Sequence, residues 1–232
     1  MAISPYLNEP QSNWPKITES LISQYPVTTQ EILDLAMLSW GRLWGSQIGG
    51  EINLDEVELP ATVVGYFFQK LFAHELKSRY PKIWKGENLK SDKDLVNIKN
   101  PDFSTEMKSS GQLGYSLFGN RSYNQVSESS DMSGKDKSGY YITVSFNEKS
   151  IALLRIGWTD EDDWVPQGAA TGQAAVLKPE VYQYKLVEIN GSYMETMGGP
   201  FAGGKKTIRP NYVMLAAIIG QVDARPQSQK CF

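Results

Sequence analysis

The chain has 232 residues, of which 41% are hydrophobic and 21% charged, and its formal net charge is -3. This composition excludes a largely disordered chain, and no apolar run approaches the roughly 20 residues of a membrane-spanning helix. The single cysteine and single histidine exclude an internal disulfide framework and argue against a cysteine or His-rich metal site. Any binding to phosphate must come from a locally basic surface. No basic, apolar leader is visible at the N-terminus, so we expect a cytoplasmic protein with no membrane partner.

The first part of the chain has helical patterns. A threonine cap followed by Gln30 and Glu31, within the segment 27–31, predicts the start of a helix that ends at Gly49-Gly50. A second helix with one broad apolar face is predicted from about Ala61 to Arg79, and Pro81 stops it.

From about residue 89 the pattern becomes β-rich. Short strands are predicted at 94–98 and 103–108, joined by a turn. A Gly/Ser/Asn-rich stretch from 109 to 139 predicts a long surface excursion. Strands at 139–146 and 151–158 then form a hairpin that is apolar enough to be central. This order predicts an α/β fold with a mixed central β-sheet flanked by helices.

The chain contains no internal repeat, low-complexity tract or long linker, which favours a single domain over residues 1–232. Its parts would be an N-terminal helical part of about 1–88, a sheet core of about 89–190 and a C-terminal extension of about 191–232.

The sharpest candidate for chemistry is an acid and an amine two residues apart on a predicted strand. Glu106 and Lys108 project from one face, and Met107 points into the core. Such a pair suits phosphodiester hydrolysis, because the carboxylate binds Mg2+ through oxygen while the lysine orients water or stabilises developing charge. Asp94, on the preceding strand, would supply a second carboxylate. The alternative is a solvated ion pair on an exposed face.

The connection between the two short strands decides whether Asp94 belongs to this group. A five-residue connection at 98–102 places Asp94 directly opposite Glu106, whereas a four-residue connection places Leu95 there. Asp102 is the rival second ligand, but it lies in the turn, four residues before Glu106. We favour Asp94.

The stretch Lys93-Asp94-Leu95-Val96, a turn, and Phe103 to Ser110 resembles the core of the PD-(D/E)XK nuclease superfamily, in which an acidic residue precedes a hairpin ending in (D/E)-x-K. The resemblance implies a nuclease-like fold. One departure is that Asp94 follows lysine and not proline.

The same resemblance gives a supporting role to the preceding helix. In this superfamily an acidic residue there often supports the metal site. Gln69 stands where glutamate is frequent, and Glu75, the other candidate, is more simply a solvent-facing residue.

A longer resemblance, to the small type II restriction endonucleases of the Sca type, is carried by the segments 106–112, 118–123, 137–141, and Trp158 with 169–173. It implies a homodimer that cuts a short palindrome in double-stranded DNA with magnesium.

Polar side chains after the proposed metal site are candidates for reading bases. Arginine pairs with guanine, and asparagine or glutamine with adenine, in the major groove. The DNA-binding candidates are Gln112, Asn120, Arg121, Tyr123, Asn124, Gln125, Thr171 and Gln173. The alternative is a polar loop that is merely hydrated.

The leading hypothesis is therefore a magnesium-dependent type II restriction endonuclease. The alternatives are a DNA repair or structure-specific nuclease with the same metal core, and a non-catalytic β-rich binding domain.

Overall fold

The computed structural model describes residues 3–111, 116–119, 137–166 and 175–189. Within these residues the helices are α1 (Trp14–Gln24), α2 (Thr29–Trp44), α3 (Ala61–Arg79) and α4 (Pro179–Tyr184). The strands are β1 (Gln47–Ile48), β2 (Ile52–Asn53), β3 (Trp84–Gly86), β4 (Leu95–Asn97), β5 (Thr105–Ser110), β6 (Phe118–Gly119), β7 (Gly139–Asn147), β8 (Ser150–Thr159), β9 (Trp164–Pro166), β10 (Ala175–Leu177) and β11 (Leu186–Glu188).

A six-stranded sheet in the order β11-β8-β7-β5-β4-β3 forms the centre of the fold. The β5–β7 pair is parallel, and every other neighbouring pair in this sheet is antiparallel. Helices α1, α2 and α3 contact the sheet directly. The prediction of an α/β fold with a mixed central sheet flanked by helices is therefore confirmed, and the arrangement is compatible with a nuclease-like fold.

The N-terminus of α2 is fixed by a capping box. Thr28 Oγ1 accepts the backbone N–H of Glu31, and the Glu31 carboxylate accepts the backbone N–H of Thr28. The predicted start is confirmed, but the helix ends at Trp44 and not at Gly49-Gly50. Those glycines have φ angles of +63° and +77° and lie in the turn between β1 and β2, because a tight turn takes up positive φ at glycine without strain.

The predicted α3 is confirmed at both ends, whereas α1 was missed by the sequence analysis. None of the helices in the described segments is both long and apolar enough to cross a membrane.

Both faces of the central sheet are covered. Tyr140, Ile142 and Val144 of β7 belong to a large core that includes residues of α1, α2 and α3. Tyr141, which projects from the opposite face of β7, packs in a smaller core with Trp164 and residues of β10, α4 and β11. The strand β5 therefore lies between two layers, and its side chains alternate between them.

Candidate active site

The strand β5 presents Glu106 and Lys108 on the same face. Lys108 Nζ lies 2.7 Å from Glu106 Oε1, within hydrogen-bonding distance. Met107, between them, points the other way and is only 5% exposed in the large core, as predicted. Because all six residues of β5 pair with β7, the backbone that carries the acid and the amine is held along its whole length.

The ion pair between these two side chains is largely buried. The side chains of Glu106 and Lys108 retain 8% and 15% of their exposure. Partial burial weakens the screening of charge by water, so the attraction between the two charges is stronger than it would be on a solvated face. The alternative of a solvated surface ion pair is therefore wrong.

Asp94 immediately precedes β4, the strand that lies next to β5 in the sheet. Leu95 pairs with Thr105, and one step along this antiparallel register places Asp94 opposite Glu106, as a five-residue connection requires. The Asp94 Oδ2 atom accepts the backbone N–H of Met107 at 2.7 Å. Asp94 and Glu106 are each only 6% exposed. The structure thus brings two carboxylates and one lysine together on adjacent strands.

The turn between β4 and β5 sets this register. Residues Pro101–Phe103 form a turn of 3₁₀ helix, and the Asn100 side chain accepts the backbone N–H of Asp102. As a result, β5 begins at Thr105, two residues later than the predicted strand. Asp102 is exposed and lines a separate cleft of about 940 Å³ on the side of Tyr140 and Trp158.

The donor set is suited to a hard divalent cation. Mg2+ is held by one or two carboxylates and completes its shell with water and substrate phosphate. Asp94 and Glu106 supply two such carboxylates. The described segments contain no group of three or more His, Cys, Asp or Glu side chains that could hold a metal ion, and this includes the surroundings of Asp94 and Glu106. These residues therefore fit an ion that shares its coordination with a phosphate.

The helix α3 brings Gln69 to this region. Gln69 is half-buried and, with Asp94, lines a cleft of about 340 Å³ between α3 and β3, the α3–β3 cleft. The backbone of α3 passes close to the side chain of Ser109 on β5: a Cβ atom on Gly65 would lie 2.0 Å from Ser109 Oγ and 3.0 Å from Ser109 Cβ, so a larger residue at position 65 would require Ser109 to move. Gln69 therefore lies on a helix that contacts β5, the strand of Glu106 and Lys108.

Glu75 has a different environment from the one expected. It is buried on the α2 side of α3, where its Oε1 lies 2.7 Å from Arg42 Nη1. The expectation of a solvent-facing residue was wrong: the Glu75 side chain is buried, and the positive charge of Arg42 on α2 compensates its negative charge. Glu75 does not line the α3–β3 cleft.

The candidate base-reading residues lie outside the part of the chain that the structure describes, and their role stays a prediction. They are Gln112, Asn120, Arg121, Tyr123, Asn124, Gln125, Thr171 and Gln173.

Sequence reasoning missed a row of polar residues that begins at Lys108. Lys108 pairs with Thr143 of β7, and Thr143 pairs with Arg155 of β8, so the three side chains share one face. Arg155 is 1% exposed, and its guanidinium carbon lies 5.2 Å from the centre of the Tyr182 ring. The available signal was a charged residue within the otherwise apolar strand β8.

Comparison with known proteins identifies the family of this chain. Residues 4–190, which include Asp94, Glu106 and Lys108, match the model of the ScaI restriction endonuclease family. The chain is also 31% identical over 196 residues to the type II restriction enzyme ScaI of Streptomyces caespitosus, a match that covers 81% of this chain and 85% of that protein. The chain therefore belongs to the ScaI restriction endonuclease family and is a type II site-specific deoxyribonuclease.

Proposed function

We propose that this enzyme hydrolyses phosphodiester bonds at a short palindrome in double-stranded DNA with Mg2+, and that Asp94, Glu106 and Lys108 form its catalytic group. The proposal rests on one observation: two carboxylates and a lysine meet, largely buried, on the facing strands β4 and β5. Restriction enzymes of type II generally use divalent metal ions, and the two carboxylates are the oxygen donors that Mg2+ prefers.

Asp94 and Glu106 would hold the ion between them. When bound, Mg2+ would supply Lewis-acid stabilisation of charge on the scissile phosphate. The bond from Met107 N–H to Asp94 Oδ2 fixes the orientation of that carboxyl group before any cation arrives. Such preorganisation lowers the cost of assembling the site when DNA binds.

Lys108 would act on the attacking water and on the phosphate. Its Nζ lies 2.7 Å from Glu106 Oε1, which restrains the ammonium group next to the metal-binding carboxylate. From this position the ammonium group would donate to the nucleophilic water or to a non-bridging phosphate oxygen. A positive charge held there stabilises the charge that develops in the transition state. Gln69, on α3, would support the site through its amide oxygen.

We further infer that the enzyme acts as a homodimer. The described segments contain one group of Asp94, Glu106 and Lys108 per chain, whereas duplex DNA has two strands of opposite direction. Two copies related by a two-fold axis would present one such group to each strand, and a palindrome has the same symmetry. The candidates between Gln112 and Gln125, with Thr171 and Gln173, would read the bases.

Digestion of phage DNA of known sequence tests this function. With Mg2+ we expect discrete fragments whose ends all map to one short palindrome, and with EDTA we expect intact DNA. A smear, or cutting only at branched structures, would contradict the proposal.

The variant Lys108→Ala tests the catalytic group. We expect cleavage to fall by at least about a hundredfold because the charge next to the scissile phosphate is lost, while binding to labelled duplex stays close to that of the wild type. Lys99→Ala, which removes an exposed lysine in the turn after β4, is the matched control and should cut normally. Circular dichroism checks that both variants fold. Retained cutting by folded Lys108→Ala would exclude this mechanism.

A further inference from the structure

The α3–β3 cleft is lined mainly by side chains that donate hydrogen bonds. Gln69, Lys70, His74 and Lys77 come from α3, Lys85 comes from β3, and Asp94 of the candidate active site lies at the same cleft. The cleft has three lysines and two carboxylates, those of Glu87 and Asp94, so its lining carries a small positive charge in a chain whose net charge is -3. A locally positive surface is what an acidic chain needs to bind a polyanion.

Most of these donors are not used within the protein. Gln69, His74, Lys77 and Lys85 make no side-chain hydrogen bond or ion pair with any residue that the structure describes. Lys77 is exposed and Lys85 is half-buried, so water or a ligand can reach both ammonium groups. The cleft therefore has hydrogen-bonding capacity available for an external acceptor.

Lys70 differs from the other two lysines because its charge is already balanced. Its Nζ donates to the carboxylate of Glu87, and this hydrogen bond raises the pKa of Lys70. The same Nζ lies 5.0 Å from the centre of the Tyr66 ring. Lys77 and Lys85 are consequently the two lysines of the cleft that form no ion pair with a described residue.

The spacing of the donors fits a polymer better than a single small anion. Gln69 and Lys77, two of the unused donors, are eight residues apart on α3 and both line the cleft. At 1.5 Å per residue they are separated by about 12 Å along the helix axis. One phosphate group cannot span that length, whereas a DNA strand, which advances about 3.4 Å per nucleotide, presents several phosphates along it.

We propose that the α3–β3 cleft binds the phosphate backbone of duplex DNA next to the scissile bond, with Lys77 and Lys85 as its main phosphate contacts. The inference rests on the proposed function, because Asp94 connects the cleft to the bond being cut. The strand that passes Asp94 and Glu106 continues over β3 and along α3. These contacts fix the position of the duplex and carry no base preference.

The salt dependence of DNA binding tests this assignment. A fluorescein-labelled duplex of arbitrary sequence is titrated with the enzyme in EDTA, so that nothing is cut, over a series of salt concentrations. Each phosphate contact contributes about 0.9 to the slope of log K against log salt, so the double variant Lys77→Gln, Lys85→Gln should lose about 1.8. The control Lys16→Gln, Lys99→Gln removes the same charge from exposed sites outside the cleft and should leave the slope unchanged.

Cleavage mapping supplies the second measurement. With Mg2+, the Lys77/Lys85 double variant should cut at the same sites as the wild type but more slowly at low DNA concentration. An unchanged slope, or an equal loss in the control, would overturn the cleft assignment while wild-type cleavage still supported the proposed function. A wild type that cuts no DNA would overturn the proposed function itself. If inorganic phosphate or a mononucleotide displaces the duplex from the wild type but not from the double variant, the cleft is a small-anion site and the proposal is wrong.

Discussion

Replacing Asp94 by asparagine or by alanine separates its chemical role from its structural one. Asp94 Oδ2 accepts the Met107 N–H at 2.7 Å in a nearly buried position. A hydrogen bond to a charged group contributes about 1.5–3 kcal/mol and a neutral one about 0.5–1.5 kcal/mol. Asparagine can still accept this bond through its amide oxygen, and it removes one of two neighbouring negative charges. The free energy of unfolding of Asp94→Asn should therefore stay within about 1 kcal/mol of the wild type.

Alanine leaves the Met107 N–H without its partner, at a cost of about 1–3 kcal/mol. For a protein of this size, that cost lowers Tm by roughly 2–12 °C, compared with at most about 4 °C for asparagine. Both variants remove the negative charge of a carboxylate that is proposed to bind Mg2+, so plasmid cleavage in Mg2+ should fall at least about a hundredfold in both. Differential scanning fluorimetry gives Tm, and gel-based initial rates give cleavage.

Asp102→Asn is the matched control, because Asp102 is the exposed alternative ligand in the turn. It should melt and cut like the wild type. If Asp94→Asn cut at the wild-type rate, Asp94 would not be a catalytic residue. If Asp94→Ala melted at the same temperature as Asp94→Asn, the bond to Met107 would not contribute to stability.

Two further variants test how the helices are placed. Gly65→Ala builds a Cβ 2.0 Å from Ser109 Oγ, so the free energy of unfolding should fall by about 1–3 kcal/mol. Adding Ser109→Ala removes this Oγ and should restore part of the lost stability. A normal melting temperature for Gly65→Ala would contradict the close approach of α3 to β5. Hydrogen bonds from the Tyr80 hydroxyl and the Thr28 backbone hold the pKa of Glu31 below its ordinary value of 4.5. The ionised Glu31 therefore stabilises the folded protein above pH 4.5, and this contribution is lost as the pH falls through the lowered folded-state pKa. Glu31→Gln keeps the capping box but cannot titrate, so the difference in Tm between pH 7 and about pH 3 should shrink; an equal difference in both proteins would contradict this reasoning.

Local signals were sufficient where one short segment determines its own structure. Thr28 and Glu31 form the capping box that opens α2, and Pro60 and Pro81 flank α3. The alternation of Glu106, Met107 and Lys108 follows from the geometry of a strand, so their faces could be predicted without a partner strand.

The remaining features depend on contacts that sequence patterns do not reveal. Two registers were compatible with the residues between Asp94 and Glu106, and the 3₁₀ turn capped by Asn100 selects one of them. The burial of Glu75 depends on Arg42, which lies on another helix. The glycine pair Gly49-Gly50 is compatible with a helix end and with a hairpin turn, and only the pairing of β1 with β2 distinguishes them.

The parallel pairing of β5 with β7 has a consequence for when the enzyme becomes active. The acid and the amine are already in the chain at Glu106 and Lys108, but the neighbour that holds them runs from Gly139 to Asn147. Parallel neighbours cannot form by a local hairpin, and such distant pairings are made slowly. In a nascent chain these two side chains lack this neighbour until residues 139–147 have been synthesised. Under the proposed function, the enzyme can therefore cut DNA only after this strand has paired with β5.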